Sequence, residues 1–133
     1  YKLCNWKTEL YLNLQTLDKE LEKLIFTLPQ VSIDHLGMHK CSIDRLKRIV
    51  NVDIPIRLTG FGRVGYEHDE IRELITILYS ENPSCLIFGS DLPSTRAENR
   101  FSYNDIKLVK ETVGREAQDR IFFLNGESWY LNK

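Results

Sequence analysis

The sequence predicts an α/β fold in which four strand–helix units follow one another and one additional helix closes the chain. Three observations lead there. Short apolar runs alternate with amphipathic helical stretches from end to end. The run Leu86-Ile87-Phe88 lacks polar alternation, as in a strand covered on both faces of a parallel sheet. Every candidate strand also ends in polar residues, so parallel strands would bring those ends to one rim.

The elements follow in order. Thr8 to Leu14 alternates polar and apolar residues, which predicts a first strand with Glu9, Tyr11 and Asn13 on one face. Leu17, Leu21, Leu24, Ile25 and Leu28 then recur at helical spacing, and Pro29 ends that helix. Val31 to His35 reads as the second strand, broken at Leu36-Gly37. Ser42 is suited to cap a helix that turns Ile43, Leu46, Ile49 and Val50 inward, with Arg45, Lys47 and Arg48 toward its carboxyl end, where the dipole favours cations.

Ile54 to Thr59 is the third strand, with Pro55 tolerable near its beginning. It enters the glycine-rich loop Gly60-Phe61-Gly62-Arg63-Val64-Gly65, whose backbone can approach a ligand closely. A helix from about Glu67 to Ser80 buries Ile71, Leu74, Ile75 and Leu78 and stops at Asn82-Pro83. The fourth strand runs from Cys85 to Phe88 and ends at Gly89-Ser90-Asp91-Leu92-Pro93. A polar loop, Ser94 to Arg100, precedes a helix from Ser102 to about Val113, with Ile106, Val109 and Val113 inward. A last helix, Arg115 to Leu124, ends at Asn125-Gly126, leaving Trp129-Tyr130-Leu131 as an apolar tail.

Composition bounds the function. With 133 residues, 42% apolar and 28% charged, residues 1–133 form one domain able to bury a core. A net charge of −1 with interspersed signs gives no basic stripe, so nucleic acid is not an expected partner. No apolar run reaches the roughly 20 residues that span a bilayer, and no signal pattern opens the chain, so no membrane partner and a soluble, cytoplasmic location are expected. Cys4, Cys41 and Cys85 are odd in number and far apart, which indicates reduced thiols, with Cys85 a small core residue. The chain opens at Tyr1 without an initiator Met and enters a strand at once, which reads as part of something longer.

The strand ends carry the candidate chemistry: Tyr11 and Asn13 on the first, Asp34 and His35 on the second, Arg57 with loop residue Arg63 on the third, and Asp91 on the fourth. His35 and Asp91 could bind a metal; alternatively Asp91 is a general base that activates water while Arg63 holds an anionic substrate. Each residue also has a structural reading: Asp91 as a turn or helix cap, His35 as a hydrogen-bonded core histidine, Arg63 as a solvated cation. His39 and His68 read as surface residues. No Walker loop follows a strand, which removes weight from the P-loop class of nucleotide-binding open sheets.

Val31-Ser32-Ile33-Asp34-His35-Leu36-Gly37, then Ile56-Arg57-Leu58-Thr59-Gly60, then Leu86-Ile87-Phe88-Gly89-Ser90-Asp91-Leu92-Pro93, together resemble the carboxyl-terminal half of the amidohydrolase family, in the TIM-barrel branch that includes the 2-pyrone-4,6-dicarboxylate lactonases. Asn5-Trp6-Lys7 resembles the entry to a barrel strand of that branch, and the tail from Ile121 to Tyr130 resembles its closing helix. The resemblance implies a partial TIM (β/α)8 barrel, with this chain supplying strands five to eight plus the carboxyl-terminal helix. It implies Asp91 as the base toward water, His35 as metal ligand or carbonyl polariser, and Arg63 as the grip on a substrate carboxylate, with Tyr11 and Asn13 on strand five as further substrate-binding positions.

Two departures weigh against a divalent metal such as zinc: the His-x-His strand is absent, and strand five offers Tyr11 and Asn13 where metal-dependent members carry a His. The expected function is a hydrolase of the amidohydrolase type acting on a small carboxylate-bearing substrate such as a lactone. Four strands would leave an open sheet edge and an uncovered barrel interior, so the expected partner is a second copy or an amino-terminal half-barrel segment. Two rivals stand beside it: an inactive truncated half-barrel that persists as a dimerising structural remnant, and an open flavodoxin-like binding module.

Overall fold

Four parallel strands lie side by side in chain order: β1 (Thr8–Leu10), β2 (Val31–Ile33), β3 (Ile56–Leu58) and β4 (Leu86–Phe88). The structure, a computed structural model, describes residues 6–131; Cys4 and Asn5, used in the sequence reading, lie outside the described residues. Between the strands run α1 (Lys19–Phe26), α2 (Ile43–Val50) and α3 (His68–Glu81). After β4 come α4 (Tyr103–Thr112), α5 (Arg115–Asp119), a π-helical segment Arg120–Leu124, and α6 (Asn125–Leu131). Consecutive strand order has no reversal point, unlike the order of a flavodoxin-like sheet.

Register explains the layering. Leu10 pairs with Ile33, Ile33 with Ile56, and Ile56 with Leu86, so one apolar row crosses all four strands. It joins Ile25 of α1, Leu46 and Ile49 of α2, Ile71, Ile75 and Leu78 of α3, and Leu108 and Val109 of α4 in one core. Strand alternation sends Glu9, Ser32, Arg57 and Ile87 to the opposite face. Pro55 sits just before β3, where its missing N–H costs no ladder bond and its carbonyl accepts from Ile33 N–H at 2.8 Å. Cys85 is buried, and burial pushes its thiol up to about 12, consistent with an inert core residue.

Several expectations are corrected. The first strand stops at Leu10, because Asn13 turns its Oδ1 onto Gln15 N–H at 2.9 Å and starts a 3-10 turn at Leu14. Asn13 therefore does not extend the strand face of Glu9 and Tyr11. On α1, Leu21 and Leu24 point outward, 44% and 57% exposed, while Glu22 is buried. The reason is electrostatic: Glu22 Oε1 lies 3.5 Å from Arg45 Nε and 3.2 Å from Arg48 Nη2 of α2, so the helix rotates its carboxylate toward them.

The last helix does not end at Asn125. Its side chain turns away from its own backbone, donating from Nδ2 to the carbonyls of Pro83 at 2.8 Å and Leu86 at 2.9 Å, and the chain stays helical to Leu131. Nor is the second sheet face uncovered. Gly126 approaches Ile87, Tyr130 hydroxyl donates to Glu9 at 3.3 Å, and the Arg57 guanidinium lies 5.4 Å from the Tyr130 ring centre. Together with Lys7 over the Trp129 ring, these contacts lay α6 across the face that a barrel would turn to its interior. The tail becomes a lid on polar strand residues because Tyr and Trp present both ring surface and a polar tip. Among the described residues, no helix is long and apolar enough to cross a membrane.

Candidate functional site

Unusual backbone marks the carboxyl ends of β2 and β4. After β2, His35, Leu36, Gly37 and Met38 run at φ of 49°, 50°, 82° and 71°, a left-handed turn that L residues adopt only at a cost. Burial of Leu36 and the bonds Gly37 N–H to Asp34 O, 2.9 Å, and Met38 N–H to His35 O, 2.8 Å, hold it. After β4, Asp91, Ser94 and Arg96 also have positive φ. Such residues cost of order 1–3 kcal/mol each and persist where the surroundings impose them, often at functional sites.

These turns aim His35 and Asp91 at each other. His35 Nε2 lies 3.8 Å from Asp91 Oδ1, and both side chains are largely buried. On its other side, His35 Nδ1 meets Thr59 Oγ1 at 2.6 Å. Gly60 is required beside this contact: it has φ of +62°, and a Cβ there would come within 2.9 Å of Nδ1. The Tyr11 ring stands edge-on to the imidazole with centroids 5.6 Å apart. Burial holds the His35 imidazole below its ordinary range, against the opposing pull of Asp91, so it is neutral at neutral pH. A Thr59 hydroxyl that donates to Nδ1 leaves Nε2–H facing Asp91, whereas a ring that donates from Nδ1 to Thr59 leaves Nε2 as an acceptor.

Arg63 closes the far side. Its Nη2 lies 2.8 Å from Asp91 Oδ2 and donates to the Thr95 carbonyl at 2.8 Å. The Asp91 contact is close but off the hydrogen-bond direction, so Oδ2 and the buried Arg63 Nε both lack a hydrogen-bond partner. Next to this group, Arg57 pairs with Glu9, lies 3.3 Å from Asp34 Oδ1, and donates from Nε to Ser32 Oγ at 3.3 Å. Burial pushes the Asp34 carboxyl above its ordinary range, with Arg57 and His35 opposing.

The structure thus gathers His35, Asp91, Arg63 and Tyr11 at one rim and leaves Asn13 in its own turn. His39 and His68 are exposed. Sequence reasoning singles out neither Thr59 nor Gly60 as a site residue, and it places Arg57 among the strand ends without pairing it with Glu9; a hydroxyl at the end of a buried strand is the available signal for Thr59. The donor set does not fit zinc. Among the described residues, no group of three or more His, Cys, Asp and Glu side chains could hold a metal ion, and Arg63 stands where a dication beside Asp91 would be repelled.

Phe61, Gly62, Asn99 and Asp105 form a wall between a small pocket at Asp91 and an open polar groove of about 1030 Å3, which Arg63, Arg96 and Arg100 also line. A separate pocket of about 520 Å3, walled by Lys7, Pro55, Cys85, Leu124 and Trp129, contains none of these rim residues. A buried imidazole facing a carboxylate backed by a guanidinium can polarise a carbonyl and take a proton from water. No protein-family model, curated protein or solved structure matches the chain.

Proposed function

We propose that this chain is a hydrolase acting on a small carboxylate-bearing substrate such as a lactone, built on four βα units equivalent to strands five to eight of an amidohydrolase-type barrel. Parallel strands in consecutive order, with helices α1 to α4 sharing one core with the sheet, support the barrel relationship. The observation that carries the chemistry is the convergence of His35 and Asp91, 3.8 Å apart on two left-handed turns.

In this reading Asp91 removes a proton from water as the water oxygen attacks the carbonyl carbon. His35 Nε2–H stabilises the charge that develops on the carbonyl oxygen, and Thr59 keeps the ring in that tautomer. Arg63 steadies Asp91, and a substrate carboxylate reaches the guanidinium from the groove it lines with Arg96 and Arg100. Closure by a second copy or an amino-terminal half-barrel segment belongs to the same proposal. It requires both sheet edges, β1 and β4, and at β4 it would displace Asn125 from the Leu86 carbonyl.

One observation favours a second reading, a half-barrel that associates without turnover: α6 lies across the face that would form the barrel lumen. A screen of lactones, 2-pyrone-4,6-dicarboxylate among them, separates the two. Turnover by the wild type that is abolished in Asp91→Asn and lowered in His35→Gln, with unchanged circular dichroism, supports the hydrolase. Absence of turnover by the wild type, or undiminished turnover by Asp91→Asn, rejects it.

A further inference from the structure

Ser94 is a buried polar residue, 3% exposed, three positions after Asp91. Its backbone lies in the left-handed region at φ of 56°, as does that of Asp91 at φ of 55°. Glycine takes that conformation without steric cost, so a serine held there needs compensating contacts. Its hydroxyl supplies them: Oγ donates to the Asp91 carbonyl at 3.1 Å and accepts from Phe101 N–H at 3.4 Å. The Ser94 N–H donates to the same Asp91 carbonyl at 2.7 Å. Two donors of one residue thus close on the backbone of Asp91, and the bond from Phe101 ties the turn to the entry of α4, which Ser102 caps.

This clamp sets where the Asp91 carboxylate can lie. Arg63 Nη2 meets Asp91 Oδ2 and the Thr95 carbonyl, each at 2.8 Å. One guanidinium can bridge those two oxygens only while the turn bonded through Ser94 keeps residues 91 and 95 together. With Arg63 on Oδ2, the other oxygen, Oδ1, faces His35 Nε2 at 3.8 Å. Ser94 and Asp91 line one small pocket, whose wall includes Gly60, the residue packed against His35 Nδ1. The hydrogen bonds of the Ser94 hydroxyl go to backbone groups, so it acts through Asp91 rather than on a reacting atom.

We propose that Ser94 is the positioning residue of this site: its hydroxyl fixes the turn that holds the Asp91 carboxylate between Arg63 and His35. This rests on the hydrolase reading, in which Asp91 takes a proton from water, and adds to it the residue that sets the place of that carboxylate. Loss of the hydroxyl leaves Asp91 and its charge in the chain but frees the turn, so the carboxylate spends less time against His35. A displacement of about 1 Å at a reacting group lowers turnover by roughly 100-fold.

His35 reports the position of Asp91 without any substrate, because the charge of Asp91 favours the protonated imidazole. Asp34 and Arg63 act on the same ring with opposite signs, so the variants compared keep both. In proton NMR, His35 should titrate lower in Ser94→Ala than in the wild type, the direction also expected of Asp91→Asn. Ser94→Gly removes the hydroxyl and relaxes the left-handed backbone; it should do the same, and it serves where the alanine variant does not fold. In the Asp91→Asn background, Ser94→Gly should leave the His35 titration unmoved, since no charge remains to be displaced. On any lactone that the wild type opens, Ser94→Gly should lower kcat by about 10- to 100-fold and change KM by less than about threefold. An unchanged or raised His35 titration in Ser94→Gly, or undiminished kcat, overturns the proposal. So does an equal shift in the Asp91→Asn background, which marks Ser94 as a structural cap. If the wild type opens no lactone, the hydrolase reading falls by itself, and the titration alone upholds or overturns the placement of Asp91 by Ser94.

Discussion

Asn125→Ala tests whether α6 is held to the sheet by its side-chain amide. The residue is 6% exposed, and its Nδ2 donates to two carbonyls, Pro83 at 2.8 Å and Leu86 at 2.9 Å. In β4 the Cys85 carbonyl accepts from Ile56 N–H, so alternation points the Leu86 carbonyl away from β3, toward the open edge. Each hydrogen bond contributes about 1 kcal/mol net, and leaving a buried carbonyl unsatisfied adds about 1–3 kcal/mol. The truncation should cost about 3–5 kcal/mol. With a urea dependence of about 1–3 kcal/mol per molar for a domain of this size, the unfolding midpoint should fall by about 1 M or more at unchanged slope. Asn125→Asp, which keeps the shape but sets carboxylate oxygens against carbonyl oxygens, should be at least as damaging. A loss below about 0.5 kcal/mol for the alanine variant would refute the claim that α6 closes the β4 edge through this residue.

Gly60→Ala places a methyl group within 2.9 Å of His35 Nδ1 at φ of +62°; it should cost about 1–2 kcal/mol in urea unfolding and shift the His35 ring resonances, and a neutral result would mean that the turn is not constrained. For His35, burial lowers the folded pKa from 6.5, so the unfolded chain binds the proton more readily and stability is lost as pH falls below about that value. Asp34, with its raised folded value, slopes the opposite way, so the comparison to make is wild type against His35→Gln at several pH values; equal slopes through that range would contradict a buried neutral imidazole. Glu22→Ala should destabilise by about 1–3 kcal/mol, because it leaves the largely buried Arg45 without its carboxylate. Leu24→Lys, on the outer face of α1, should change stability by less than about 0.5 kcal/mol, and a loss of about 2 kcal/mol in equilibrium unfolding would reveal a covered face.

Much of the fold was legible residue by residue. The unbroken apolar run at Leu86 to Phe88 marked a buried parallel strand, and the spacing of Ile71, Leu74, Ile75 and Leu78 marked the inner face of α3, because period 2 and period 3.6 are properties of neighbours in the chain. His35, Asp91 and Arg63 were visible as polar residues where strands or their loops end, and parallel strands necessarily bring such ends together. The same local logic failed on α1, where spacing alone turned Leu21 and Leu24 inward. A pair of arginines on the next helix outweighed it and drew Glu22 to the core.

Sequence by itself determined the succession of strands and helices, the parallel sheet and the polar rim. Tertiary structure decided the rest: the 3.8 Å meeting of His35 with Asp91, the left-handed turn that aims the imidazole, the sharing of Arg57 between Glu9 and Asp34, and the placement of α6 over the sheet's second face. The physical reason is range. Hydrophobic periodicity is written within one or two turns of chain, whereas these contacts join residues far apart in sequence, up to the 121 positions between Tyr130 and Glu9. Their partners are chosen by strand register and by which charges burial leaves unbalanced, and neither exists until the sheet has formed.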